Sequence, residues 1–292
     1  MRTILLGMLL VACGSSGQVA NKEPAPPPPN APAPVAAAAP DAAVEYPPNT
    51  YADLPSALAA IIPPDARVVG FGEIHNRVDR AQVKSALAWF TAALPSFGDK
   101  FSDLIVETWL VDPTCGQTAV KATKAMETEV KRPEATKSEV ALLADAAKAA
   151  KIQPHAMTIN CADYQKLVKG GQVDPLEMLT LTTRELKRIS ISAVKHRDKD
   201  PAHRPWVAVY GGALHNDRFP DKAVAEWSYA ADVDAATQNH FVEIDLIVPE
   251  LVAGDEVAKK QPWYPLVENA GERVAVFARD ARSFVVVFPK AK

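Results

Sequence analysis

The chain is predicted to fold as an α/β domain: a mainly parallel sheet flanked by helices, with a C-terminal antiparallel hairpin. Short apolar runs rich in Val, Ile and Phe alternate with longer stretches of helical period, and the last two runs are parted only by Asp280-Ala281-Arg282. Strands separated by helices need crossover connections and so build parallel sheets covered on both faces, whereas so short a link returns a strand antiparallel. Residues 50–292 also match one α/β domain of ordinary size.

Arg67 to Phe71 is the first β-prone run, bounded by Pro63-Pro64 and Gly72. Val78, Ala81, Leu87, Phe90 and Leu94 then fall at roughly helical spacing, with Arg77, Arg80 and Lys84 left for the wet face. Asp103 to Trp109 is a second buried strand, followed after Pro113 by Ala/Lys/Glu-rich helical sequence to about Lys151, broken near Pro133. His155 to Ile159 reads as a third strand. Gly170-Gly171 reads as a turn, and Pro175 to Arg197 as a long helix with Leu176, Leu179, Leu186, Ile189 and Val194 inward. Trp206 to Tyr210 is a fourth strand, and a helix is expected near Pro220 to Tyr229. Phe241 to Val248 follows, then Arg273 to Arg279 and Ser283 to Phe288 as a hairpin at a sheet edge.

The N-terminus reads as an export signal, with Arg2 ahead of an apolar stretch from Ile4 to Val11. That stretch falls short of the about 20 residues a membrane span needs. Leu10-Val11-Ala12-Cys13 resembles a bacterial lipobox. The resemblance implies removal of residues 1–12 and a thioether-linked diacylglycerol on Cys13; the alternative is an ordinary secretory signal with an incidental Cys. Gly14 stands where inner-membrane lipoproteins of this class carry Asp, which points to the outer membrane and leaves periplasmic and surface faces both open. Residues 13–49 form a tether dominated by Pro and Ala, suited to extended polyproline II at about 3.1 Å per residue. A Pro-rich ligand for a partner is less apt, since no basic residue flanks the prolines.

Lys and Arg number 32 against 35 Asp and Glu, so no basic excess exists to bind nucleic acid. With Cys13 lipidated, Cys115 and Cys161 remain; an exported location permits a disulfide between them, and neither has the clustered spacing of a zinc site.

The functional signal is a repeated five-residue pattern. Gly72-Glu73-Ile74-His75-Asn76 and Gly212-Ala213-Leu214-His215-Asn216 each follow a β-prone run, and Glu107 closes the run between them. Ligands gather outside the carboxyl ends of parallel strands, so all three elements are expected at one crevice. Histidine binds metal through a neutral ring nitrogen or exchanges a proton near neutral pH, and a neighbouring carboxylate supplies a base or a further ligand. Gly72 and Gly212 allow close backbone approach or positive φ, while Asn76 and Asn216 are placed to orient each ring or cap the next helix. The competing reading of each His is a buried imidazole bonded to backbone, and of Glu107 an ion-pair partner. His155, His196, His203 and His240 read as structural or exposed. No Gly-x-Ser-x-Gly elbow, Walker A loop, Gly-x-Gly-x-x-Gly turn or His-Glu-x-x-His is present.

Residues 54–220 resemble the Tiki/TraB/erythromycin-esterase superfamily, in particular its haem-uptake ChaN-like branch. Gly72-Glu73-Ile74-His75 matches the first family motif, Glu107 the acidic residue closing the next strand, and Gly212-Ala213-Leu214-His215 the last motif. Arg184, within Thr183-Arg184-Glu185-Leu186, fits the Arg of the preceding helix, with Arg188 a rival one turn on. The resemblance implies a hydrolase site of Glu73, His75, Glu107, Arg184 and His215. Glu73, His75, Glu107 and His215 would form a ligand set for Zn or Mn. It equally implies a haem-binding or haem-uptake lipoprotein without turnover, with Tyr210 or a His as iron ligand. The expected partners are the membrane, through the lipid, and a small-molecule, peptide or haem ligand. A catalytically silent envelope scaffold is the third possibility.

Overall fold

The computed structural model describes residues 49–110, 113–130, 133, 135–169, 172–200 and 204–290. The leader, Cys13, the tether up to residue 48, the Gly170-Gly171 turn and His203 lie outside the described residues. In chain order the elements are β1 (Asn49–Tyr51), α1 (Leu54–Ile61), β2 (Val68–Glu73), α2 (Ala86–Ala93), β3 (Phe101–Leu110), α3 (Gly116–Val130) and α4 (Ala135–Ala149). There follow β4 (Gln153–Thr158), α5 (Cys161–Leu167), the short pair β5 (Val168–Lys169) and β6 (Gln172–Val173), α6 (Pro175–Arg197), β7 (Trp206–Gly212) and the single turn α7 (Ala213–Asn216). The chain closes with α8 (Ala230–Ala236), β8 (Phe241–Ile247), α9 (Pro249–Val252), α10 (Tyr264–Glu268), β9 (Val274–Asp280) and β10 (Ser283–Val287).

The main sheet has the order β1-β9-β10-β8-β2-β7-β3-β4. From β10 to β4 every neighbouring pair is parallel, and β9 alone runs against its two neighbours, β10 and β1. The mainly parallel sheet and the C-terminal hairpin are therefore both present. The hairpin is not at an edge, however: β10 is an interior strand paired with β8, and β9 is covered by β1. Each residue of Ser283–Val287 is buried, as a strand with helices on both faces requires.

The alternation of strand side chains divides two cores. Val69, Phe71, Leu104, Tyr210 and Ile244 pack with Leu58, Phe90 and Leu143 on one face, while Val68, Ile105, Val207, Val209 and Phe241 pack with Leu186 and Val233 on the other. Local chemistry sets the helix starts. Asp53 caps α1 by accepting from the Ser56 N–H at 2.8 Å, and Asp174 caps α6 ahead of Pro175. Ser85 caps α2, so that helix starts later than the spacing from Val78 suggests; Val78 is exposed in a 3₁₀ turn. Leu176 of α6 is also exposed, and Leu181 takes the inward place. No α-helix forms over 220–229. Ser228 donates to the Asp217 carbonyl at 2.6 Å and opens α8 instead, folding this segment back over the turn after β7. Cys115 and Cys161 are disulfide-bonded, with Cα atoms 5.1 Å apart, joining the entries of α3 and α5.

Candidate functional site

The two Gly-x-x-His-Asn segments end neighbouring strands. Gly72 and Glu73 of β2 pair in register with Gly211 and Gly212 of β7. The chain leaves β2 for β3 and β4, then returns on both sides of it as β7 and β8. That reversal puts a crevice at the carboxyl ends of β2 and β7, where open α/β sheets take ligands.

At the first segment, Glu73 is buried and both its oxygens accept hydrogen bonds. Oε1 lies 2.8 Å from His75 Nδ1, and Oε2 accepts from the Tyr210 hydroxyl at 2.6 Å. A carboxylate that only accepts makes Nδ1 the protonated nitrogen and leaves a lone pair on Nε2. Nε2 lies 3.6 Å from Glu107 Oε1, longer than a direct hydrogen bond and a separation that a water or substrate hydroxyl can bridge. Glu107 is held in turn by its Oε2, which accepts from the Gly212 N–H at 2.6 Å.

The strand geometry that aims Glu107 is irregular. Pairing of β3 with β4 runs from Ile105 and Val106 to Trp109 with a register shift across Glu107 and Thr108, and pairing with β7 stops at Val106. Released from the ladder, Glu107 turns across β7, as bulges beside functional sites do. Only glycine leaves room there. A Cβ on Gly211 would stand 2.7 Å from Glu107 Oε2, and one on Gly212 would stand 3.0 Å from His75 Nε2. Neither Gly72 nor Gly212 has positive φ; their use is close approach. Leu87, Val106 and Val140 complete the mouth with an aliphatic wall.

The second segment is built differently. His215 is 4% exposed, and its Nδ1 lies 2.9 Å from both the Trp227 carbonyl and Thr183 Oγ1 on α6. This is the buried imidazole bonded to backbone, not a second wall of the mouth. Asn76 bonds the nearby Val83 carbonyl, whereas buried Asn216 donates to the Gly70 carbonyl of β2 at 3.2 Å. The family-implied arginines point elsewhere. Arg184 binds Asp163 at 2.6 Å and Glu185 at 3.1 Å, and its hydrogen bond holds the Asp163 carboxyl below the ordinary range; Arg188 also binds Glu185. The Arg184–Asp163 pair ties α6 to α5, and α6 reaches the motif through Thr183.

Of the residues singled out from sequence, the structure thus joins Glu73, His75, Glu107 and Tyr210. Among the described residues no group of three or more His, Cys, Asp or Glu side chains is arranged to hold a metal ion. The set Glu73, His75, Glu107 and His215 does not form such a group, and Glu73 is committed on both oxygens. Tyr210 does not fit an iron ligand: it is 2% exposed, its ring lies 4.9 Å from Phe90, and its hydroxyl serves Glu73. Outside the site, His155 pairs with Asp103 at 2.7 Å and His240 bonds the Thr237 carbonyl at 2.9 Å.

Sequence reasoning missed Thr183 and the acids of β8. Glu243 and Asp245 are both buried, and Arg279 of β9 donates to both. Burial raises both carboxyls, Asp245 well above the ordinary range. The fully buried Tyr229 phenol is likewise pushed well up by burial, then by Glu107, Glu243 and Asp245. The available signal was the spacing: two acids at i and i+2 in Phe-Val-Glu-Ile-Asp-Leu-Ile share one face of an otherwise apolar strand.

No family model and no curated protein matches the chain. Among solved structures it is similar to the type III effector HopBA1, at 12% identity and TM-score 0.41, over 81% of this chain and 93% of that one. It is also similar to a Bacillus cereus protein at 10% identity and TM-score 0.39, over 80% and 90%. At scores this low neither likeness bears on function.

Proposed function

We propose that the chain is a lipid-anchored cell-envelope hydrolase of the Tiki/erythromycin-esterase type, working by general acid–base catalysis at Glu73, His75 and Glu107. The observation that carries the reading is the hydrogen-bonded relay at the mouth from Tyr210 through Glu73 to His75, with Glu107 standing 3.6 Å beyond His75 Nε2. A water held between His75 Nε2 and Glu107 Oε1 attacks a substrate carbonyl as Nε2 takes its proton. Glu73 steadies the imidazolium, and Nε2 then hands the proton to the leaving group, so that water is divided between the two products. Glu107, aimed by the Gly212 N–H, orients the water. Two carboxylates and an aliphatic wall suit small neutral or cationic esters or amides over anionic ones. Attachment to the outer membrane rests on Cys13 and the tether behind it. No helix among the described residues is long and apolar enough to cross a membrane.

The test is turnover of a panel of chromogenic esters and peptide amides by the full chain. His75→Ala and Glu107→Gln are each expected to lower kcat/KM by about 10²–10⁴-fold without loss of folding. Unchanged rates in both variants would sink the acid–base reading. A Soret band on haem addition with no turnover would replace it with the haem-binding one. Radiolabelled palmitate should enter the wild-type chain and not Cys13→Ala.

A further inference from the structure

The buried carboxylates of β8 are not among the groups that line the mouth, and their hydrogen bonds do not balance. Glu243 is satisfied on both oxygens: Oε1 accepts from Arg279 Nη1 at 2.8 Å and Oε2 from the Ser283 hydroxyl at 2.6 Å. Asp245 is not. Its Oδ2 accepts from Arg279 Nη2 at 3.0 Å, while Oδ1 is buried with no hydrogen-bond partner. Oδ1 of Asn216 is a second buried acceptor without a partner. Both oxygens converge on Gly72, where a Cβ would stand 2.4 Å from Asn216 Oδ1 and 2.7 Å from Asp245 Oδ1. Reversing the Asn216 amide gives no relief. Its Nδ2 donates to the Gly70 carbonyl, and exchanging the two atoms would set oxygen against oxygen there.

Buried acceptors do not stand together without a hydrogen to share. We propose that Asp245 is a neutral carboxylic acid in the folded protein and donates its hydrogen from Oδ1 to Oδ1 of Asn216, forming a proton-held latch between β8 and the second His-bearing turn. Glu243 has no need of that proton, because each of its oxygens already accepts a hydrogen bond. The groups facing Asp245 are Glu243 on its own strand, Arg279 on β9, Asp217 after α7 and the Tyr229 phenol before α8. Burial, and then the charge of Glu243, favour the neutral form against the pull of Arg279. The latch links both motifs: Asn216 follows His215 directly, bonds β2 two residues before Gly72, and ends the turn whose Gly212 N–H holds Glu107. Loss of the proton sets a carboxylate against an amide oxygen and loosens that turn. This inference does not depend on the hydrolase reading.

The folded-state value of Asp245 lies above the ordinary value of about 3.9, so the latch contributes fully below that ordinary value and is lost as pH rises through the raised one. Melting of the full chain is to be followed from about pH 5 to about pH 9 for wild type and Asp245→Asn. The amide of that variant keeps an oxygen for Arg279 and a fixed N–H for Asn216. Wild type is expected to lose about 5 °C or more relative to Asp245→Asn across the range. At neutral pH wild type should also show the infrared carbonyl band of a neutral carboxylic acid, titrating away in alkali and missing from the variant. Parallel melting curves would overturn the latch. So would absence of the band from wild type, a measurement that stands even if the variant fails to fold. Stabilisation of wild type but not Asp245→Asn by added calcium, manganese or zinc would overturn it as well, by showing a cation between the oxygens.

Discussion

The two Gly-x-x-His-Asn turns share a sequence pattern, neighbouring strands and one end of the sheet, yet they do opposite work. His75 is 28% exposed and stands between two carboxylates, whereas His215 is buried against the backbone and Thr183. Asn76 serves its own loop and Asn216 clips α7 to β2. The difference lies in what each strand leads into. After β2 the chain runs out into an irregular loop, and the His stays at the mouth. After β7 it turns at once into α7 and is covered by the segment that ends in Trp227, so the His becomes part of the core. A repeated motif therefore marks a place in the sheet, and its neighbours assign the role.

Paired substitutions can break that contrast. The largest expected effect is on rate: His75→Ala should remove about 3–5 kcal/mol of transition-state stabilisation while moving the melting temperature little, as read by ester turnover beside calorimetry. His215→Ala should do the reverse on stability. Truncating a buried ring and leaving the Trp227 carbonyl with the Thr183 hydroxyl alone costs about 2–4 kcal/mol in urea unfolding. If the two variants lose stability equally, the roles assigned to the turns are wrong.

Glycine substitutions sharpen the same contrast. Gly72→Ala would push a Cβ to 2.7 Å from the backbone Cα of Ala213 and 2.4 Å from Asn216 Oδ1, inside the packed side. It should cost about 1–3 kcal/mol of folding stability. Gly212→Ala instead meets the tip of His75 at 3.0 Å, so its main effect should be a fall in kcat with a small change in melting. The smallest effect is expected from Tyr210→Phe, which removes the hydroxyl bonded to Glu73 Oε2 and should slow turnover about tenfold, about 1.4 kcal/mol. A full wild-type rate in that variant would end the relay at Glu73.

Most elements were legible because they rest on local signals. Pro175 with Asp174 before it opens α6, and Val-rich runs bounded by Gly or Pro became β2, β7 and β10. The elements misread are those where tertiary contact overrides spacing. The 220–229 segment is held out of helix by Ser228 and by its cover over His215, and the hairpin lies inside the sheet because β10 pairs with β8 while β1, a three-residue strand, supplies the edge beyond β9.

By itself, the sequence determined the parallel α/β class and the strand ends at which Glu73, His75 and Glu107 would be found, and it offered Cys115 and Cys161 as the pair left to bond if Cys13 is lipidated. These follow from periodicity, from the count of cysteines and from the rule that parallel strands carry ligands at their carboxyl ends. Only the tertiary structure decided that Glu107 leans over Gly211 to reach His75, that His215 turns to α6, and that Asp245 and Asn216 meet across Gly72. Those choices depend on register and on which side chain has room, and both are properties of strands brought together from distant parts of the chain.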